Sequence, residues 1–298
     1  MAVNALSRHT DGCLCCGDAA LVQEPSIISP YLAFKAFGAD PSPCQMHHCP
    51  TCDFRFYDRG LTDAEGDAYY GAYRDETYFI ERNRYEPFYT RAVHDGLTEH
   101  MGSEERRTHL ATLLGDRNFG TIIDFGGGDG AMISGLPADR RISFDPSSVP
   151  PRQGVEIIKE RSALPTGVDL ITCAQVLEHV SDPAALVDDM MSLLRPGGLL
   201  YLEVPDQLWK RATSLRLGRG MASWLCQNPR LLLAADIYST AFRVKLGFLP
   251  PFGFVPMREH INFFSAAALR AIADRADLSV LNEGRTPDPY FYLVAEKR

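Results

Sequence analysis

The chain has 298 residues, 45% hydrophobic and 23% charged, which is enough for an enzyme core with a smaller appendage and too apolar for disorder throughout. Thirty basic residues against 38 acidic leave a formal net charge of −8, which argues against a general nucleic-acid binder. No run approaches 18 apolar residues and the first thirty lack an apolar stretch beside a basic start, so neither a membrane span nor a signal peptide is expected and a cytoplasmic setting is the default.

Taken in chain order, the first 60 residues read as a small module. Six of the eight cysteines (Cys13, Cys15, Cys16, Cys44, Cys49 and Cys52) fall within the first 52 residues. Cys13-x2-Cys16 and Cys49-x2-Cys52 form two knuckles separated by 32 residues. Four thiolates in paired C-x2-C turns suit a closed tetrahedral zinc site at about 2.3 Å per bond. Cys15, Cys44, His47 and His48 are alternative ligands close by, and Cys52 is followed by Asp53 where Cys16 is followed by Gly17.

Residues 61–115 read as helical and rich in tyrosine, with Thr62 and Glu65 as a capping box at the start. An aromatic stripe at helical spacing is more often core than site. Tyr70, Tyr73 and Tyr78 nevertheless precede the next region where a lid over a ligand would sit, and Tyr73 and Tyr78 are the candidates for cofactor contact.

From Gly120 the pattern alternates. Thr121–Phe125 is a short strand entering Gly126-Gly127-Gly128-Asp129-Gly130, with a helix expected after it. Arg141–Asp145 and Val168–Cys173 are further strands, and Asp182 with Pro183 opens a helix to Leu194. Arg195-Pro196-Gly197-Gly198 stops that helix before the strand Leu199–Val204, and Leu278–Leu281 and Tyr290–Val294 are the last strands. This alternation predicts a parallel, doubly wound α/β sheet over 116–205 and 259–298, with helices on both faces. Residues 206–258 stand apart as an insertion over the sheet's carboxyl edge. They hold eight basic residues against two acids, a net +6 that leaves −14 to the remainder, and both tryptophans.

The glycine loop allows close approach of backbone to a ligand, and Asp145 follows Asp124 by 21 residues, where an acid can accept two ribose hydroxyls. Gly126, Gly128 and Ala131 also satisfy the dinucleotide spacing, so NAD competes. Charge separates the two, because Asp124 before the loop would repel a pyrophosphate but suits the ammonium and sulfonium of S-adenosylmethionine.

These residues resemble a class I S-adenosylmethionine-dependent methyltransferase. Ile122–Gly130 is similar to the family's first motif, with Gly127 where many members have cysteine. Asp169–Val180 resembles its fourth-strand motif, and Leu193–Leu200 the turn into its fifth strand; His260–Ser265 extends the likeness. The resemblance implies a seven-stranded Rossmann-like sheet. It gives Asp124, Gly126 and Gly128 to the methionine half of the cofactor, Asp145 to the ribose and Gln175 to the region beside the methionine. It puts an adenine contact near Ser162–Leu164, where the usual acid is absent, and S-adenosylhomocysteine is the implied product.

A zinc ribbon, a tyrosine-rich helical segment and this core together resemble the sugar C-methyltransferases of antibiotic pathways, although the further C-terminal domain usual there is missing. The expected reaction is C- or O-methylation of a small or carrier-bound metabolite, a nucleotide-linked sugar first among them. His179, after the fourth strand, and His260 are the candidate bases. Glu178 and Glu203 read as orienting groups. The +6 segment favours an anionic acceptor, such as a nucleotide sugar or a phosphorylated or carrier-protein-bound metabolite, and permits at most peripheral membrane contact. An RNA methyltransferase with a zinc-ribbon reader is the alternative, opposed by the acidic balance.

Overall fold

The computed structural model describes residues 11–71, 75–101, 103–145 and 149–298. The knuckle region leads into β1 (Val22–Ile27), α1 (Pro30–Phe37), β2 (Pro43–His48) and β3 (Arg55–Tyr57). Helix α1 starts where Ser29 accepts from Leu32 N with Pro30 in the first turn, and ends at Gly38 in the left-handed region.

Four helices follow: α2 (Asp63–Tyr70), α3 (Glu76–Tyr85), α4 (Arg91–Met101) and α5 (Glu104–Leu114). The Thr62–Glu65 capping box opens α2, and Asp75 accepts from Tyr78 N to open α3. Ser181 Oγ bonds both backbone groups of Leu61, tying the entry of α2 to the loop after the fourth core strand.

The core contains β4 (Phe119–Phe125), β5 (Ala138–Phe144), β6 (Glu156–Ile158), β7 (Val168–Ala174), α6 (Pro183–Leu193) and β8 (Leu194–Pro205). The inserted segment holds β9 (Lys210–Arg211), α7 (Arg219–Cys226), α8 (Pro229–Leu246) and β10 (Phe248–Leu249). The chain then returns through β11 (Asn262–Phe263), α9 (Ala266–Arg275), β12 (Leu278–Arg285) and β13 (Tyr290–Lys297).

Seven strands form one sheet in the order β12-β13-β8-β7-β4-β5-β6. This is the Rossmann-like class I methyltransferase arrangement expected from the resemblance. Two local expectations need correction. The sheet is mixed rather than all parallel, because only four residues link β12 to β13; such a link joins antiparallel neighbours, and β13 also runs antiparallel to β8. No regular helix follows the glycine loop either. Residues 128–135 are a chain of turns, in which Gly130 N bonds Gly127 O and the Asp129 carboxylate captures Ala131 N, diverting the amides a helix would use.

A second sheet has the order β1-β2-β3-β11, so the cysteine-rich region shares its sheet with a strand from the last third of the chain. Cys13, Cys49, Cys52, Phe54 and Phe56 belong to the same buried cluster as Phe264, Ala268 and Leu269 and the core of the seven-stranded sheet. Packing of this kind sets Phe54 against Phe264 at 4.8 Å between centroids, with the rings tilted by 53°.

Candidate functional site

The glycine loop leaves β4 at the carboxyl edge, where ligands bind in open α/β sheets. Gly126, Gly128 and Gly130 all have positive φ (69°, 54° and 76°). A Cβ at Gly126 would lie 2.5 Å from Val176 Cγ2, and one at Gly127 would lie 2.3 Å from Asp124 Oδ2, so a side chain at either position displaces its neighbour. Asp145, at the end of β5, accepts Gly128 N at 2.9 Å, and Ser143 Oγ donates to Gly128 O, which locks loop and acid together.

Asp124 is fully buried. Thr172 Oγ1 donates to its Oδ1 at 2.7 Å, while Oδ2 has no hydrogen-bond partner. Burial pushes its carboxyl up to about 7. Gln175 sits at the tip of β7 with φ +60°, a conformation that costs a non-glycine residue free energy. It is held there because its backbone N bonds Glu203 O and its Nε2 donates to Glu203 Oε1 at 3.1 Å. Glu203 is in turn bonded by Arg106 and by Tyr201 OH, a buried network beneath the edge, so it orients rather than reacts.

The two candidate bases meet. His179 and His260 lie 4.7 Å apart between ring centroids, at 75°. His179 Nδ1 lies 2.9 Å from both the Glu259 carbonyl and Tyr70 OH. A carbonyl only accepts, so the proton of the neutral His179 ring sits on Nδ1 and its lone pair on Nε2. The same reasoning applies to His260, whose Nδ1 faces Gln207 Oε1 at 2.8 Å. Burial, with His179 alongside, lowers His260 to about 3, so it stays neutral. Glu178 lies beside them, 1% exposed, with both carboxylate oxygens lacking a hydrogen bond and its acidity weakened by burial to about 8.

Tyr78, expected against the cofactor, lies elsewhere. It is completely buried in an aromatic cluster with Tyr31, Tyr69 and Tyr89, and its hydroxyl accepts from Arg82 at 2.6 Å. Its ring therefore packs as core beneath the site, because the charge it faces is the Arg82–Glu259 pair at 2.8 Å. Burial alone would push the Glu259 carboxyl up, but the Arg82 guanidinium beside it holds it well below the carboxylate range. Tyr73 lies outside the described residues. Tyr70 is a tyrosine that does reach the histidine pair, at His179. Glu259 and Gln207 also escaped the sequence reading, although both histidines follow a glutamate (Glu178-His179 and Glu259-His260), a repeated step that was legible.

At the other pole, Cys13, Cys16, Cys49 and Cys52 converge, with all four sulfurs within 4.8 Å of one another. Cys13 and Cys52 are 3.6 Å apart, as are Cys16 and Cys49, close to the edge of a tetrahedron built on bonds of about 2.3 Å. None of the alternative ligands joins them. Cys15 is buried against Cys13 but outside the group of four, Cys44 is buried in a different cluster, His47 stacks on Phe56 at 5.1 Å, and His48 bonds Asp53 at 2.7 Å. Gly17 and Asp53 both take positive φ (77° and 52°), so the two knuckles share one backbone shape, and Asp53 is held in it by His48 and Arg55.

An open cavity of about 820 Å³ lies where the cysteine-rich sheet, the inserted segment and the ends of β8 and β12 meet. Its lining includes Arg55, Trp209, Lys210, Arg211, Arg216 and Arg285, opposed by Glu24, Asp53 and Asp206. Asp206 and Leu208 line it, and Gln207 between them reaches His260, so one short segment separates cavity from histidine pair. Part of the segment's excess charge is answered within the chain: Glu24 pairs with Arg211 and with Arg216 (3.2 Å), and Arg258 with Glu86 and Asp236 (2.7 Å each).

Among curated proteins, this chain is 53% identical over 71 residues to the ubiquinone biosynthesis O-methyltransferase of Xylella fastidiosa (strain M23), which is 24% of each chain. It is 50% identical over 72 residues to the enzyme of the same name from Xanthomonas euvesicatoria pv. vesicatoria, 24% of this chain and 25% of that one. The chain thus matches about a quarter of the length of these relatives. Solved structures that resemble it include the 1,6-didemethyltoxoflavin-N1-methyltransferase of Burkholderia thailandensis with bound S-adenosylhomocysteine (14% identity, 85% of this chain and 95% of that one, TM-score 0.46). Magnesium protoporphyrin IX methyltransferase from Synechocystis PCC 6803 is similar at 14% identity, 75% and 100% coverage and TM-score 0.44. The methyltransferase domain family matches residues 97–283, well over half of the chain. With that match and the strand order above, the chain belongs to the methyltransferase domain family, on the class I S-adenosylmethionine-dependent fold.

Proposed function

We propose that the protein transfers a methyl group from S-adenosylmethionine to a small anionic acceptor, with a nucleotide-linked sugar as the leading candidate and a hydroxyl or acidified carbon as the nucleophile. The observation that carries this reading is the unpartnered, buried Oδ2 of Asp124 beside loop glycines where a side chain would intrude. A lone buried carboxylate oxygen calls for a cation, and the methionine ammonium supplies one, whereas a pyrophosphate would be repelled. Asp124, Gly126 and Gly128 would hold the methionine half, Asp145 the ribose and Gln175 the region beside the methionine. The donor, when bound, supplies a methyl group made electrophilic by its sulfonium.

The residues of the chain then align the acceptor and take its proton. The His179–His260 pair accepts one proton at Nε2, and because His260 stays neutral the charge rests on His179, whose Nδ1 the Glu259 carbonyl already holds. The acceptor's anionic part would lie in the cavity beside Arg55, Lys210 and Arg285, with Gln207 linking the two compartments. Four thiolates at Cys13, Cys16, Cys49 and Cys52 would hold a structural zinc ion with no position left open for chemistry.

Titration calorimetry with S-adenosylhomocysteine against NAD tests the donor. Micromolar binding of the first and none of the second is expected, and the reverse overturns the reading. Turnover of nucleotide-sugar acceptors, followed by mass spectrometry of the methylated product, tests the acceptor class.

A further inference from the structure

We propose that the solvent face of the α7–α8 pair docks on an anionic lipid surface. The inference goes beyond methyl transfer and does not depend on it. Helix α8 is turned inside out relative to an ordinary surface helix. It buries Asp236 and Ser239 together with Leu232. Asp236 is consumed by the Arg258 pair, and Ser239 Oγ accepts Phe254 N. Solvent receives Leu231 (47% exposed), Ile237 (42%), Tyr238 (42%) and Val244 (70%). At 100° per residue these positions, with Ala234 and Ala241 between them, span an arc of about 140° on the side away from the centre of the buried stripe Leu232, Asp236 and Ser239. The neighbouring α7 adds Met221 (41%) and Trp224 (51%).

Scattered exposed apolar residues need no explanation, but a helix that hides its acid and displays its aliphatic side does. Charge selects the occupant. Helices α7 and α8 expose Arg219, Arg230 and Lys245, while Arg243 turns inward over Trp209 and their sole acid, Asp236, is buried. The face is therefore apolar with a purely basic border, on a chain whose net charge is −8. Two copies meeting through this face by a two-fold axis would oppose basic border to basic border. Anionic headgroups satisfy the border while the apolar side chains enter the acyl boundary, and Trp and Tyr sit at that depth. The face also runs to the cavity, because Leu246, the last residue of α8 and 60% exposed, lines it. Docking there would bring the cavity mouth to the lipid surface.

The test is vesicle binding by the full chain, compared on equimolar phosphatidylcholine–phosphatidylglycerol and on pure phosphatidylcholine vesicles. Trp224 gives a direct optical readout, since the other tryptophan, Trp209, is 6% exposed. Sedimentation at least tenfold stronger with the anionic vesicles is expected, with a blue shift of tryptophan emission. The Arg230→Gln/Lys245→Gln variant should bind severalfold more weakly. Ile237→Ser/Val244→Ser, at exposed positions that leave the core untouched, should abolish the blue shift. No binding to anionic vesicles, or binding indifferent to the Ile237/Val244 variant, overturns the proposal. Self-association that this variant abolishes, without vesicle binding, assigns the face to a second copy and overturns it too.

Discussion

In the proposed function, Asp124 is the residue on which the donor side turns. Its carboxyl is raised to about 7 by burial, above the value of about 3.9 that an exposed aspartate has in the unfolded chain. Between those values the folded protein holds a proton the unfolded chain has released, so this group makes the ligand-free protein less stable as pH rises from about 4 to 7. A cationic ligand reverses the preference, because it pairs with the ionised form. Affinity for S-adenosylhomocysteine should therefore weaken as pH falls below about 7, by up to about tenfold per pH unit. Calorimetry across pH 5 to 8 checks this, and Asp124→Asn should bind more weakly with a flat profile; a wild-type profile that is itself flat would remove Asp124 from the ammonium.

The histidine pair makes a separable prediction. His179→Gln and His260→Gln should each lower kcat by about 10²–10⁴, the range of general-base catalysis, with donor affinity within about threefold of wild type. Rapid-quench methylation assays alongside calorimetry distinguish this from a fold defect. Tyr70→Phe should act more weakly, since it removes a hydroxyl partner of His179 Nδ1 and leaves the Glu259 carbonyl in place.

Among the elements, caps and turns carry the local stability. Asp182 accepts Ala185 N at 3.0 Å with Pro183 next to it, which fixes the start of α6 directly after the His179 loop. Asp182→Ala should cost about 1 kcal/mol in urea unfolding. Gly126→Ala is expected to be worse on two counts: φ of +69° strains any Cβ by about 1–2 kcal/mol, and the methyl would meet Val176 at 2.5 Å. Relief of that clash moves Val176, next to Gln175, so donor affinity should fall more than stability does. A variant with normal donor binding would show that this turn is merely structural.

The whole molecule couples the cysteine cluster to the carboxyl edge of the seven-stranded sheet through a shared core. Strand β11 completes the cysteine-rich sheet, while Ile261 N and Asn262 N both donate to Glu178 O and Asn262 Nδ2 donates to Leu177 and Val180 carbonyls. Those bonds run from the sheet beside the four thiols to the loop that carries His179. Structural zinc contributes on the order of 10 kcal/mol to small modules, so with the proposed zinc ion on the four thiols, chelation should lower the unfolding midpoint of the entire chain by about 10 °C or more. A single lowered transition is expected in calorimetry, and two separate transitions, one unchanged, would show that the cysteine region folds independently.

Local chemistry was readable without coordinates. Strand positions, the glycine turn, the Thr62 and Asp182 caps and the two cysteine knuckles each depend on residues within a few positions of one another, so their signals survive in the linear chain. The tertiary structure decided what depends on distant partners. His179 meets Tyr70 across 109 positions and Glu259 across 80, and His260 meets Gln207 across 53. No spacing rule encodes such meetings, because they follow from which strand ends the sheet order places side by side. Tyr78 shows the same limit: its sequence neighbours allowed a lid, whereas the Arg82–Glu259 pair beneath it made it core. Helix α8 shows it most strongly, since apolar residues alone would predict a buried face. It is the burial of Asp236 by Arg258, a residue beyond the end of that helix, that turns its aliphatic side to the outside.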